Sequence, residues 1–165
     1  MIIIRRVKEP WGWMGNMSPF PIEAEGRVWR SAEALFQALR FPAGSPVRDA
    51  IAEECSPLAV KFIAKRHAAE MVVAPRSDAD VAAMRRVIAL KVAQHAVALA
   101  VDLRILCARS AEGIVEDVGR RRGPSADFWG ARCNADGAWV GGNQLGRLWM
   151  EARAGMQARS AHPGG

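Results

Sequence analysis

Cysteine is scarce and poorly placed for disulfide or metal duty. Cys55, Cys107 and Cys133 are odd in number and far apart, so reduced thiols of a cytoplasmic protein are expected and neither a disulfide framework nor a zinc site is. No stretch reaches the roughly 18 consecutive apolar residues that a membrane span requires, and the opening Met1-Ile2-Ile3-Ile4-Arg5-Arg6 is too short for a signal peptide. Internal repeats and low-complexity tracts are also missing. No grouping of histidines with acids suggests a metal, and nothing has Ser-His-Asp logic. These gaps predict a soluble protein without metal, cofactor or membrane partner. Acids are the minority charge, 17 against 23 Lys and Arg for a net +6, which favours anionic partners such as nucleic acid or phosphorylated small molecules.

What is present describes a folded chain. The 165 residues are 50% hydrophobic with six tryptophans, enough for one domain with its own core. We place that domain at residues 1–158 and expect 159–165 to be a disordered tail. Ile2-Ile3-Ile4 reads as a strand. The run Trp11 to Pro21, punctuated by Gly and Pro, must be irregular, with indoles that either fill the core or line a cleft. Ile22 to Trp29 alternates like a hairpin turning at Glu25-Gly26. Ser31 then caps a helix in which Leu35, Ala38 and Leu39 face a core while Glu33, Gln37 and Arg40 share the other side, either a wet face or a site.

Further along, Val47 to Cys55 reads as a short helix. Ser56-Pro57 starts another, which carries Lys61, Lys65 and Arg66. From a cap at Ser77 or Asp78 the longest periodic segment runs from about Asp80 to Ala108, with two apolar stripes, one through Met84 and Ile88, the other including Val97, Val101 and Ile105. It predicts one long central helix, with Lys91 snorkelling and His95 satisfied in the core. Ile114 to Glu116 suggests a strand. Gly141-Gly142-Asn143 leads into a final helix, where the glycines admit another backbone or a ligand. The elements add up to a helix-dominated α+β single domain with a small antiparallel N-terminal sheet, from Ile2 to Trp29.

The order of several short words is more specific than any one of them. Trp13-Met14-Gly15-Asn16-Met17-Ser18-Pro19-Phe20, Trp29-Arg30-Ser31-Ala32-Glu33 with Phe36-Gln37-Ala38, and Ser56-Pro57 with Lys61 come first. Met84 with Lys91, Val115-Glu116, Asp127-Phe128-Trp129-Gly130, and Gly142-Asn143-Gln144-Leu145-Gly146 with Met150 and Arg153 follow. Over residues 11 to 155 this series resembles that of the NADAR family, also called the swarming-motility-associated YbiA-like proteins. The chain departs from the pattern in three places. It lacks a tryptophan at Arg76 to Asp80, has His95 where asparagine is frequent, and has Lys91-Val92 where a Lys-Phe pair is frequent.

The resemblance implies a cofactor-free N-glycosidase. Its expected substrate is a phosphorylated ribosyl small molecule, such as a ribosylaminopyrimidine phosphate intermediate of riboflavin biosynthesis, or ADP-ribosyl-guanine in nucleic acid, as in DNA ADP-ribosylation. By position it implies catalytic roles for Glu33 and Lys61, and for Asp127 and Glu116 either catalytic roles or a hold on the 2- and 3-hydroxyls. Glu33 would face the ribose, and Lys61 would hold phosphate, donate a proton or form a Schiff base, the last needing burial. Trp13 and Trp129 would stack on the base, and Asn16, Gln37 and Asn143 would bind sugar or phosphate. A non-catalytic module that binds ADP-ribose or nucleic acid in the same pocket is the competing reading, favoured by the basic balance and the absent tryptophan. The oligomeric state is left open.

Overall fold

The computed structural model describes residues 1–161. In chain order the elements are β1 (Ile2–Ile4), β2 (Ile22–Ala24), β3 (Arg27–Trp29), α1 (Ala32–Ala38), α2 (Pro46–Glu53), α3 (Pro57–Arg66) and α4 (Asp78–Gln94). They continue as α5 (Ala100–Ala108), β4 (Ile114–Glu116), α6 (Pro124–Trp129), β5 (Arg132–Cys133), β6 (Trp139–Val140) and α7 (Gln144–Ala161). The architecture is α+β and dominated by helices, as expected. The chain forms two compact units, one of Met1–Gly15 with the chain from His95 onward, the other of Asn16–Gln94.

The unit of residues 16–94 is built around α1. Every side chain of this seven-residue helix is buried, and its alanines at 32, 34 and 38 let α2, α3, α4 and the β2–β3 hairpin approach closely. Ser31 caps it, its Oγ accepting from the Ala34 amide at 3.2 Å. The hairpin has the predicted register, Ile22 opposite Trp29. Its turn residues Glu25 (φ 55°) and Gly26 (φ 75°) are both left-handed, as a tight turn between twisted strands demands. Ser56 caps α3 as the sequence indicates, through Ala59 N at 3.3 Å, and of the two candidates Ser77 and Asp78 it is Ser77 that caps α4, through Asp80 N at 3.2 Å.

In the other unit β1 runs parallel to β4, with Ile2 opposite Ile114 and Ile4 opposite Glu116. This corrects the expected single antiparallel sheet from Ile2 to Trp29, of which only the β2–β3 hairpin is antiparallel. Ile2 and Ile4 are buried on one face. The Gly- and Pro-rich segment after β1 makes a 3-10 turn at Gly12–Met14 rather than a hairpin, so β1 takes a partner distant in sequence. Helix α7 packs on β4 so closely that a Cβ on Gly146 would lie 2.2 Å from the Ile114 carbonyl oxygen. The glycines of the 141–142 pair likewise admit another backbone, Gly142 meeting the Phe128 carbonyl. Arg153, 5% exposed, donates to the carbonyls of Arg109 and Glu112 at 2.8 Å each and so ties α7 to the chain leaving α5.

Two further expectations change. The long helix predicted from Asp80 to Ala108 ends at Gln94, and residues 95–99 are turns before α5 begins. This break shifts the helical phase, so the stripe of Val97, Val101 and Ile105, expected to be buried, is exposed. At the C-terminus α7 continues through Ala161, so 159–161 are helical rather than part of a disordered tail. The rest of that expected tail, 162–165, lies outside the described residues. Among the described residues no helix is long and apolar enough to cross a membrane.

Gly146→Ala is expected to destabilise the fold by about 1–3 kcal/mol, because α7 cannot move off the β4 backbone without loosening its packing. Chemical denaturation of the variant and the parent checks this. Equal midpoints would show that the contact is easily relieved.

Candidate functional site

The polar side of α1 is buried, not wet. Glu33 and Gln37 are each 5% exposed and Arg40 is 8% exposed. Their side chains form one line. Gln37 donates Nε2 to Glu33 Oε1 at 2.8 Å, and Arg40 donates Nη1 to Gln37 Oε1 at 2.9 Å. Arg40 also grips Asp80 through two bonds of 2.8 Å, Nε to Oδ1 and Nη2 to Oδ2. Asp80 is fully buried and takes a third bond from the Arg76 amide at 2.7 Å.

The order of donors dictates the orientation of the amide. Arginine has no acceptor, so the Gln37 carbonyl must face Arg40 and its NH2 must face Glu33. A charge pair between Arg40, just past α1, and Asp80 of α4 thereby aims a carboxylate on the first turn of α1.

The segment 16–20 connects this carboxylate to α4. Asn16 accepts the Glu33 amide on its carbonyl at 2.9 Å, and its side-chain Nδ2 lies 3.4 Å from Met84 Sδ. Two residues on, Ser18 is fully buried and its Oγ accepts from Lys91 Nζ at 2.7 Å. Phe20 sets its ring 5.2 Å from the same ammonium. Met84 and Lys91 are two turns apart on one face of α4. One short loop thus touches the start of α1 at Glu33 and the inner face of α4 at Lys91.

Lys91 corrects the snorkelling expectation, being only 1% exposed. Burial pulls its pKa down to about 7, which puts protonated and neutral forms in balance near neutrality. Lys61, the amine singled out from the motif series, is instead half-buried on the outer side of α3. The burial that a Schiff-base amine requires is found at Lys91. Its sequence signal was the Met84 to Lys91 spacing, which periodicity alone assigns to packing.

The remaining candidates belong to the other unit. Trp13 and Trp129 are buried to 7% and 8% exposure. Trp13 meets Trp149 edge to face at 5.3 Å and Trp129 meets Phe128 at 5.1 Å. Glu116 pairs with Arg121 at 3.2 Å, and Asp127, half exposed, pairs with Arg132. Arg132 also donates to the Arg121 carbonyl at 3.2 Å, so the two ion pairs form one cluster. Asn143, left-handed at φ 48°, bonds the backbone of β4 with both ends of its amide, accepting from Glu116 N at 3.0 Å and donating to Ile114 O at 2.8 Å. It pins α7 to the strand. Among the described residues no three His, Cys, Asp or Glu side chains are grouped to hold a metal.

Fold and site together define a helix-dominated α+β protein with a buried carboxylate on α1 and a buried amine on α4, both contacted by one loop. Among solved structures this chain is similar to the E. coli protein YbiA, whose NMR structure aligns over 99% of this chain and 90% of its own at a TM-score of 0.75 and 23% identity. The fold is that of YbiA. No family model matches the sequence, nor does any curated protein.

Two predictions follow from the buried charges. Asp80→Ala leaves the Arg40 guanidinium buried without its partner and is expected to cost about 3–5 kcal/mol, read by denaturant unfolding. The second concerns pH. With a folded pKa near 7 and an unfolded value near 10.4, Lys91 binds fewer protons in the folded than in the unfolded chain between those limits. Its burden on stability is therefore full below about pH 7 and shrinks as pH rises. Lys91→Met should raise the melting temperature most at pH 6 and progressively less towards pH 10. A difference independent of pH would mean that Lys91 is not desolvated as described.

Proposed function

We propose that this chain is an N-glycosidase of the NADAR type that hydrolyses the N-ribosidic C–N bond of a phosphorylated ribosyl substrate. The observation that carries this reading is the 16–20 loop, which holds an aimed carboxylate, Glu33, at one end and a buried amine of lowered pKa, Lys91, at the other. The motif series and the YbiA fold support it. A buried carboxylate and a buried amine of lowered pKa, both touched by one loop, suit acid–base and nucleophilic chemistry.

The chemistry assigns each group a role. Glu33 stabilises the positive charge that develops at the anomeric carbon as the C–N bond lengthens. Lys91 in its neutral form attacks that carbon, and the bonding pair leaves with the base, which takes up a proton. Loss of the amine proton and ring opening give a Schiff base, and water hydrolyses it to release the sugar and restore the amine. Phe20 and Ser18 cover Lys91, so the loop shifts when substrate enters. Asn16 and Gln37 position Glu33 and offer amides to the sugar hydroxyls.

The test is base release from a ribosylaminopyrimidine phosphate and, separately, from ADP-ribosylated guanine DNA. Glu33→Gln keeps an oxygen for the Gln37 amide while removing the charge, and should lower turnover about 10²–10³-fold with unfolding unchanged. Turnover should rise with pH through about 7, where Lys91 loses its proton. Borohydride reduction during turnover should trap a sugar on Lys91 and none in Lys91→Met. Wild-type turnover by Glu33→Gln, or an adduct on Lys61, would sink these assignments. Tight binding of both substrates without base release would identify a binding module instead.

A further inference from the structure

Helix α3 has the sequence Pro-Leu-Ala-Val-Lys-Phe-Ile-Ala-Lys-Arg and contains no acid. Val60, Ile63 and Ala64 form its buried side. Its other side is a single stripe, Leu58, Lys61, Phe62, Lys65 and Arg66, at i, i+3, i+4, i+7 and i+8. Leu58 is 55% and Phe62 57% exposed, and Lys65 and Arg66 are exposed around the ring. Several arginines elsewhere in this unit do meet acids: Arg27 pairs with Asp49 at 2.7 Å, and Arg48 and Arg86 pair with Glu25 at 3.6 and 2.6 Å. No described acid pairs with Lys61, Lys65 or Arg66. The acid just beyond the helix, Glu70, is engaged by His67 at 2.7 Å.

Cations in the last turn complement the helix dipole, which accounts for Lys65 and Arg66. It does not account for a phenyl ring left in water between unpaired cations. We propose that this face of α3 binds single-stranded nucleic acid, with Phe62 stacking on a base and Lys61, Lys65 and Arg66 neutralising backbone phosphates. Flat rings and regular negative charge are what an aromatic side chain set among cations recognises.

Other occupants fit less well. The cores of protein interfaces are depleted in lysine. A ten-residue helix offering two apolar side chains gives a membrane surface little to bury. The proposal is independent of glycosidase activity, because it is read by binding alone.

The experiment is fluorescence anisotropy of a labelled, unmodified single-stranded oligonucleotide over a salt series. Wild type should bind with an affinity that falls steeply with salt. Phe62→Ala should weaken binding about 5- to 100-fold and Phe62→Trp should preserve or tighten it. Lys65→Ala/Arg66→Ala should weaken binding and lower the log–log salt slope by roughly 1.4, at about 0.7 per phosphate contact. Arg120→Ala/Arg122→Ala removes the same charge from the other unit and should bind like wild type. The proposal is overturned by any of four results: no salt-sensitive binding in wild type, an unaffected Phe62→Ala, equal loss in the Arg120/Arg122 control, or tighter binding to phosphatidylserine vesicles than to the oligonucleotide.

Discussion

The unit of residues 16–94 depends on one ion pair, Arg40 with Asp80. Two 2.8 Å bonds between planar groups fix the guanidinium, and the guanidinium fixes everything upstream on α1. Gln37 must turn its carbonyl towards Arg40, its amide then reaches the Glu33 carboxylate, and the Glu33 backbone N–H donates to the Asn16 carbonyl. Phe36 packs under the guanidinium, 4.4 Å from the ring centre, so even the weakly hydrated face of Arg40 is occupied. A helix of seven residues has little stability of its own. Its integrity comes from the helices and hairpin around it, and its polar side can be buried only because each polar group has a directional partner.

The other unit handles its acids differently. Glu116 and Asp127 are each held by an arginine, and the arginines are linked through the Arg121 carbonyl. Asn143 is committed to the backbone of β4. The glycines around it serve contact between backbones, Gly142 against Phe128 and Gly146 against Ile114. In this unit the distinctive words of the sequence mainly specify packing, where a missing side chain or a left-handed residue allows two elements to touch.

Much of this was legible from residue types. The caps at Ser31, Ser56 and Ser77 follow from a hydroxyl placed before a helical pattern, and the Glu25-Gly26 turn from the tolerance of glycine for positive φ. The parallel pairing of β1 was not legible, because a three-residue isoleucine strand has the same pattern whichever partner covers it. Nor was the break after Gln94. Alanine, valine and leucine continue the helical periodicity through residues 95–99, and no proline or glycine marks the stop. The burial of Glu33, Gln37 and Arg40 was also hidden, since a polar stripe reads as solvated until the distant Asp80 is known to meet it. Lys91 reads as a snorkelling side chain for the same reason. Its hydroxyl and aromatic partners come from a loop 73 residues earlier in the chain, at Ser18.

Stability alone does not explain these choices. A buried Arg–Asp pair is often no better than a well-packed apolar replacement of similar volume, and it becomes costly if either partner is lost. A lysine at 1% exposure carries a desolvation penalty that methionine in the same place would avoid. A second carboxylate, Glu33, is buried within the same small unit. Each of these groups is a poor way to fill a core, and all are held by the 16–20 loop or by the two helices it touches. Random variation in packing would not be expected to gather three such costs in one place. On the glycosidase reading proposed above, the need to hold one carboxylate and one amine at fixed positions accounts for all three, with Arg40 and Asp80 as the frame that keeps the carboxylate aimed.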